Sequence, residues 1–169
     1  MEILIRPWMM EDLSAVQRIL WESWMAAYRA FVPEEDLRIY HKATYQIESL
    51  TRLYESLFVH GFIGEADGTP VGFARAQFHR NENRIYLASL YLLPDFQRKG
   101  IGGRLLAVAE EKALAYHLGE LWVGVMVQNE PARRWYEKRG FRFVQKDSFR
   151  MGGTIVPHLI GCKAIGESD

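Results

Sequence analysis

One stretch constrains the fold more than any other: Leu90-Tyr91-Leu92-Leu93-Pro94-Asp95-Phe96-Gln97-Arg98-Lys99-Gly100-Ile101-Gly102-Gly103-Arg104-Leu105-Leu106. It opens as an apolar run and turns at Pro94-Asp95. It then delivers basic residues and three glycines into a segment where Ile101, Leu105, Val108 and Ala109 recur at helical spacing. The order is strand, short loop, glycine-rich helix start. A helix N-terminus presents unpaired N–H groups and about half a positive charge. Glycines there let a bulky anion reach the backbone, so a phosphate or pyrophosphate is the expected guest.

The rest of the chain bounds the setting. A length of 169 residues suits one domain, and 49% hydrophobic with 25% charged residues is an ordinary globular balance. Net charge is zero, which argues against a broad nucleic-acid face, although Arg98, Lys99 and Arg104 form a local basic patch. The single cysteine, Cys162, excludes an intramolecular disulfide and a cysteine-based zinc site, so no metal is expected. The opening run Met1–Arg6 lacks the shape of a signal peptide, and no apolar run reaches membrane-spanning length. A cytoplasmic location without membrane contact is the expectation.

Along the chain, Ile3–Arg6 reads as a short strand. Asp12 is placed to cap a helix with the stripe Leu13, Val16, Leu20, Trp24 and Ala27. Pro33 stands at the first turn of a second helical stretch through Leu37, Tyr40, Thr44, Ile47 and Leu50, with a break expected near Tyr45. Leu57–Glu65 and Val71–Phe78 read as strands joined by an Asp67-Gly68 hairpin turn. Gly72, Ala74 and Ala76 give the second of them one small-residue face, against which a helix can pack closely. Arg84–Leu92 is the strand feeding the anion loop, and Glu120–Val127 another. Asn129-Glu130-Pro131 opens a helix that Gly140 ends. A final hairpin turns at Gly152-Gly153, with Pro157 marking an edge or a bulge.

Two motifs together carry a resemblance. Gln97-Arg98-Lys99-Gly100-Ile101-Gly102, preceded by Leu90, Leu92 and Pro94, fits Gln/Arg-x-x-Gly-x-Gly/Ala. Downstream come Asn129, Ala132, Trp135-Tyr136 and Gly140-Phe141. In this order, separated by a helix and a strand, they resemble the GNAT superfamily of N-acetyltransferases. The resemblance spans nearly the whole chain and is strongest over residues 85–141. The Ser148–Gly152 ending and the aromatic-rich 21–40 region are also similar to bacterial polyamine N-acetyltransferases.

The resemblance implies an α/β (α+β) fold covering residues 1–169 as a single domain. Its mixed central sheet should have about six to seven strands, splayed at an acetyl-CoA site and flanked by four or so helices. It implies acetyl-CoA as cosubstrate, held by backbone amides from Gln97 to Gly102 with Arg98 or Lys99 nearby. Leu90 and Leu92 would lie on a strand bulged close to them, the Leu92 N–H aimed at the acetyl carbonyl. Asn129 and Ala132 would sit beside the pantetheine arm, and Tyr136 would be the acid for the leaving thiolate. A phenol stays protonated at neutral pH, which suits that role. Arg84–Leu92 carries no carboxylate, so no base is assigned, although Ser89 and Tyr91 share a face.

The partner implied is a small amine. Trp21, Trp24, Tyr28 and Phe31 with Glu22 and Glu34-Glu35-Asp36 would suit a polyamine-like cation. A protein N-terminus, an amino sugar, a non-catalytic acetyl-CoA sensor and a homodimer stay open.

Overall fold

The computed structural model describes residues 1–166. Its chain order is β1 (Ile3–Pro7), α1 (Leu13–Tyr28), α2 (Glu34–Tyr45), α3 (Ile47–Glu55), β2 (Val59–Ala66), β3 (Thr69–His79) and β4 (Arg84–Leu92), followed by α4 (Ile101–Ala115), β5 (Glu120–Met126), α5 (Glu130–Glu137), β6 (Arg142–Met151) and β7 (Thr154–Ala164). The strands form one sheet in the order β1-β2-β3-β4-β5-β7-β6. Among the described residues only the β4–β5 pair, bridged by α4, is parallel; the other pairs are antiparallel. Asp67 and Gly68 both take positive φ (49° and 80°), the backbone of a tight hairpin turn.

The helices cover opposite faces. Tyr91 meets Trp24 and Tyr28 of α1, while its neighbour Leu92 faces Gly72 and the α4 side. Successive strand residues point to opposite faces, so α1 lies on one side and α4 on the other. A Cβ on Gly72 would come within 2.5 Å of Leu92 and 3.1 Å of Leu105, and one on Gly64 within 2.9 Å of Ile101. The small-residue face of β3 is therefore filled by α4.

The centre of the sheet is deformed. In the β3–β4 ladder Ala76 faces Leu87 but Arg75 faces Ser89, which leaves Ala88 as the extra residue of a bulge. The family resemblance put the bulge nearer Leu90–Leu92; it lies before them. The bulge shifts the alternation by one, so Leu90 and Leu92 turn to α4 while Ser89 and Tyr91 turn to α1. Beside it, β4 and β5 pair only at Tyr86–Trp122 and Leu87–Val123, and then diverge.

Other local expectations are adjusted. The α1 stripe runs through Ile19 and Tyr28, and Ala27 is exposed. On α4 Leu106 is buried and Val108 only half so. Pro33 precedes α2 rather than entering it; its carbonyl accepts from Asp36 and Leu37. The break falls at Gln46, whose extended backbone separates α2 from α3. β2 begins at Val59, leaving Leu57 exposed. Pro157 lies in β7, an interior strand, but where β5 has just ended. Its carbonyl accepts from Val127 on that flank, so its missing N–H removes no ladder bond to β6.

Asp12 does not cap α1 with its side chain. It takes both Arg6 guanidinium nitrogens, at 2.8 and 2.9 Å, and the Met9 N–H at 2.7 Å. Arg6 also reaches Glu65 at 2.8 Å, tying β1, β2 and the start of α1 together. The Arg6 bond holds the Asp12 carboxyl below the usual carboxylate range. A carboxylate depressed in the folded state contributes stability above its unfolded pKa, near 4, and loses it as pH falls through the folded value. Asp12→Asn should therefore lower unfolding free energy at neutral pH by about 2 kcal/mol. It should also flatten the loss of stability below pH ~4, read by denaturant titrations across that range.

Candidate active site

The loop after β4 is built to leave N–H groups free. Leu93 donates to Val71, and Pro94–Phe96 make a single 3-10 turn. Arg98 then adopts φ 62° and Gly100 φ 84°. Arg98 is not glycine, so its left-handed backbone is strained by about 1 kcal/mol. Alternating backbone of this kind gathers successive N–H groups into a concavity for anions. The first helical bond of α4 runs from Arg104 N to Gly100 O at 3.3 Å, so the N–H groups of Ile101, Gly102 and Gly103 have no helical acceptor.

Packing does not require the glycines at 100 and 103. A Cβ on Gly100 would meet nothing within 4 Å, and one on Gly103 only Arg139 at 4.0 Å. Gly102 lies 3.4 Å from Trp135 by the same measure, which brings the start of α4 against α5. Gln97, Arg98, Lys99 and Gly100 are exposed. Ile101 is wholly buried against Gly64, so only its N–H can face a ligand. Arg104 is spent on the Ile3 carbonyl at 2.9 Å, whereas Arg139, stacked on Trp135 at 3.7 Å, is a nearby cation that sequence spacing did not single out.

Where β4 leaves β5, its own backbone becomes the wall of a cleft. The Leu93–Val71 bond fixes the ladder phase: Leu90 and Leu92 fall in the pairs that do not bond β3. Their N–H groups point toward the gap. Ser23 of α1 holds the Leu92 carbonyl at 2.9 Å.

Tyr136 of α5 is 8% exposed, packed edge-on to Trp135 and Phe141. Burial, then the neighbouring Tyr91 phenol, pushes its pKa well up. Asn129 accepts from the Ala132 N–H at 3.4 Å and so caps α5. Tyr28 and Tyr91 share a hydrogen bond at 3.1 Å; burial pushes the Tyr28 phenol up to about 12 and raises the Tyr91 phenol well above its ordinary value. Neither can ionise as a base at neutral pH, but together they can pass a proton. The sequence marks Tyr28 only as an aromatic wall; its pairing with Tyr91 follows from the bulge.

The acidic groups near the α1–α2 connection are largely engaged. Asp36 accepts from the Gly153 N–H at 2.8 Å and from the Thr154 hydroxyl at 2.6 Å, which pins α2 to the β6–β7 turn and lowers its pKa. Glu34 pairs with Arg38 at 3.3 Å, and the Arg38 guanidinium lies 5.0 Å over the Trp21 ring. Trp24 is core, 2% exposed. On the same wall Tyr40 packs on Phe149, and Phe149 on His158 of β7. Two cavities of about 350 and 160 Å³ open elsewhere, beside Phe58–Arg80 and beside Trp8–His60. Neither is lined by β4 beyond Leu87, by the glycine-rich loop or by α5. No helix of the described residues is long and apolar enough to cross a membrane, and no three metal-ligating side chains cluster among them.

Known proteins share this fold. A spermidine N(1)-acetyltransferase of Thermoplasma acidophilum is 30% identical over 87% of this chain and 92% of its own. An uncharacterised N-acetyltransferase of Bacillus subtilis is 27% identical over 90% and 87%. The crystal structure of a Thermoplasma acidophilum N-acetyltransferase in complex with coenzyme A superposes with a TM-score of 0.85 at 28% identity, covering 98% of this chain and all of that one. The profile of the Acetyltransferase (GNAT) family matches residues 14–141, and the chain belongs to that family of acetyltransferases.

Proposed function

We propose that the chain transfers the acetyl group of acetyl-CoA to a small primary amine. The observation that carries this reading is the parting of β4 from β5 beyond Leu87–Val123, which turns the Leu92 N–H to a gap, with the N–H groups of Ile101, Gly102 and Gly103 left without helical acceptors at the start of the next helix. The loop fits a pyrophosphate, since a Cβ at Gly100 meets nothing and the left-handed turns aim amides outward. Arg98, Lys99 and Arg139 add charge beside it. Asn129 and Ala132, at the start of α5, would flank the pantetheine arm, and Leu90 would offer a second backbone donor.

Acetyl-CoA would supply the activated acyl carbon, and once the thioester bond breaks CoA would leave as a thiol. The Leu92 N–H donates to the acetyl oxygen as the amine attacks, in a site where few waters compete. Tyr136 donates its proton or a strong hydrogen bond to the departing sulfur. Burial makes this phenol a weaker acid, but the same desolvation makes the thiolate a stronger base, so the match survives. The Tyr28–Tyr91 pair gives the proton released by the amine a route past α1.

A polyamine-like acceptor is a second reading, supported by the Thermoplasma spermidine N(1)-acetyltransferase. Against it stand the engaged carboxylates of Glu34 and Asp36 and the cation already seated on Trp21. Competition between spermidine and uncharged-body amines at low and high salt separates the two. A polycation preference that shrinks with salt supports the second reading, because screening weakens it.

Gly100→Asp places a negative charge in the cradle without a steric clash. Calorimetry should show acetyl-CoA binding by the wild type and its loss in this variant, with folding retained by circular dichroism; Gly100→Asn, which tolerates the same backbone, should bind far better. Unchanged affinity in the aspartate variant removes the loop from the cofactor site. Tyr136→Phe keeps the packing and removes the proton, so kcat should fall on the order of 10²-fold with acetyl-CoA affinity retained. The deficit should be constant from pH 6 to about 9, since the phenol stays protonated throughout that range. A fully active Tyr136→Phe enzyme returns this residue to a packing role.

A further inference from the structure

Arg75 carries a charge that no carboxylate among the described residues answers; what faces it is the Tyr45 ring, 5.8 Å from the guanidinium. It is 9% exposed, on the α1 face of β3, and none of the ion pairs among the described residues includes it. Its guanidinium donates to Gln77 Oε1 at 3.2 Å and to the Tyr45 hydroxyl at 3.4 Å, and its Nε finds no acceptor. Buried charges are ordinarily paired, because an unpaired one forfeits its hydration without return.

The neighbours share the deficit. Ser89, opposite Arg75 in the ladder and 2% exposed, has a hydroxyl with no partner. Trp24, 2% exposed and packed on Tyr45 at 5.4 Å, has an indole N–H with none. Arg Nε–H and indole N–H can only donate. Two orphaned donors, an orphaned hydroxyl and a buried cation on one face call for a guest with lone pairs and negative charge. A buried water would satisfy the hydrogen bonds and leave the charge unanswered.

This cluster lies on the acceptor side of the cleft. Ser89 and Tyr91 occupy the same face of β4, and Tyr91 is bonded to Tyr28. From Ser89 to Leu92 the strand advances about 10 Å. A carboxylate held at Arg75 would thus leave an amine several bonds away to reach the Leu92 N–H. An α-amino group is too close to its own carboxylate to span that distance.

We propose that Arg75, with Ser89 and Tyr45, binds the carboxylate of an acceptor whose distal primary amine is acetylated: an ω-amino acid or an amine of that kind, rather than a bare polyamine. The assignment rests on the acetyltransferase reading above and adds the class of its acceptor. Because the charge is held for a ligand, it is a burden on the empty fold.

The test is a series of ω-amino acids of increasing chain length, each assayed against its own carboxamide and against spermidine. The amine is chemically alike within each pair, so the ratio of kcat/KM values reports the carboxylate alone. In the wild type the acid should be favoured on the order of 10-fold or more at the best length, the worth of a charge-assisted hydrogen bond. Arg75→Gln should collapse that ratio through KM, and Arg75→Lys should restore part of it. Amine-free carboxylates of matched length should raise the Tm of the wild type and not that of Arg75→Gln, a readout independent of turnover. Arg75→Met should melt no lower than the wild type when no ligand is present. Equal use of acids and carboxamides by the wild type overturns the proposal even if no Arg75 variant folds, and so does a preference for spermidine. In either case the acetyltransferase reading stands. Failure to acetylate any amine overturns both.

Discussion

A single extra residue, Ala88, decides the layout of this molecule. A regular β4 would keep Ile85, Leu87, Ser89 and Tyr91 on one face and carry its pairing with β5 to the end. The bulge turns Ser89 and Tyr91 to α1, hands Leu90 and Leu92 to α4, and precedes the point where β4 and β5 part. Backbone groups that a continuous ladder would consume are thereby left facing a cleft. The hydrogen bonds lost there are replaced in part from outside the sheet, as when Ser23 takes the Leu92 carbonyl. The cleft, the phenol pair and the donor cluster at Arg75 all follow from that one displacement.

The anion loop depends on a different economy. Its N–H groups are free because the chain spends a left-handed arginine and a left-handed glycine before the helix begins. The helix is then anchored by Ile101 and Leu105, which reach across to Gly64 and Gly72 of the sheet. Rigid packing behind and open amides in front are two sides of the same helical turn. Trp135 against Gly102 carries α5, and Tyr136 with it, to the same place.

Much of this could be read in the residues. Strand β4 was bounded correctly from its turn residues and apolar run, and so was the α5 start, where Asn129 caps and Pro131 needs no N–H donor. Such features are encoded within a few positions. The bulge was displaced because the identity of Ala88 carries no signal of it; it is defined only by register against β3. The internal place of β7 was missed for a related reason, since Pro157 is tolerated by the length of β5 rather than by anything near it. Asp12 and Asp36 look like helix-start acids in sequence, yet one serves Arg6 and Met9 and the other a turn more than a hundred residues away. Arg75 gave no signal at all, for an isolated arginine in a strand is ordinarily a surface residue.

The Asp36 bond to Gly153 and Thr154 spans 117 and 118 positions of sequence. The anion loop, by contrast, is contained in one β4–α4 unit. The glycine-rich loop is therefore a local property of the chain, and the packing of α2 on the last hairpin a distributed one. Exchanges in α2 or in the last hairpin can reshape that packing while the β4–α4 unit is untouched. A chain built this way can vary at its two ends while the loop and the helix behind it are held fixed.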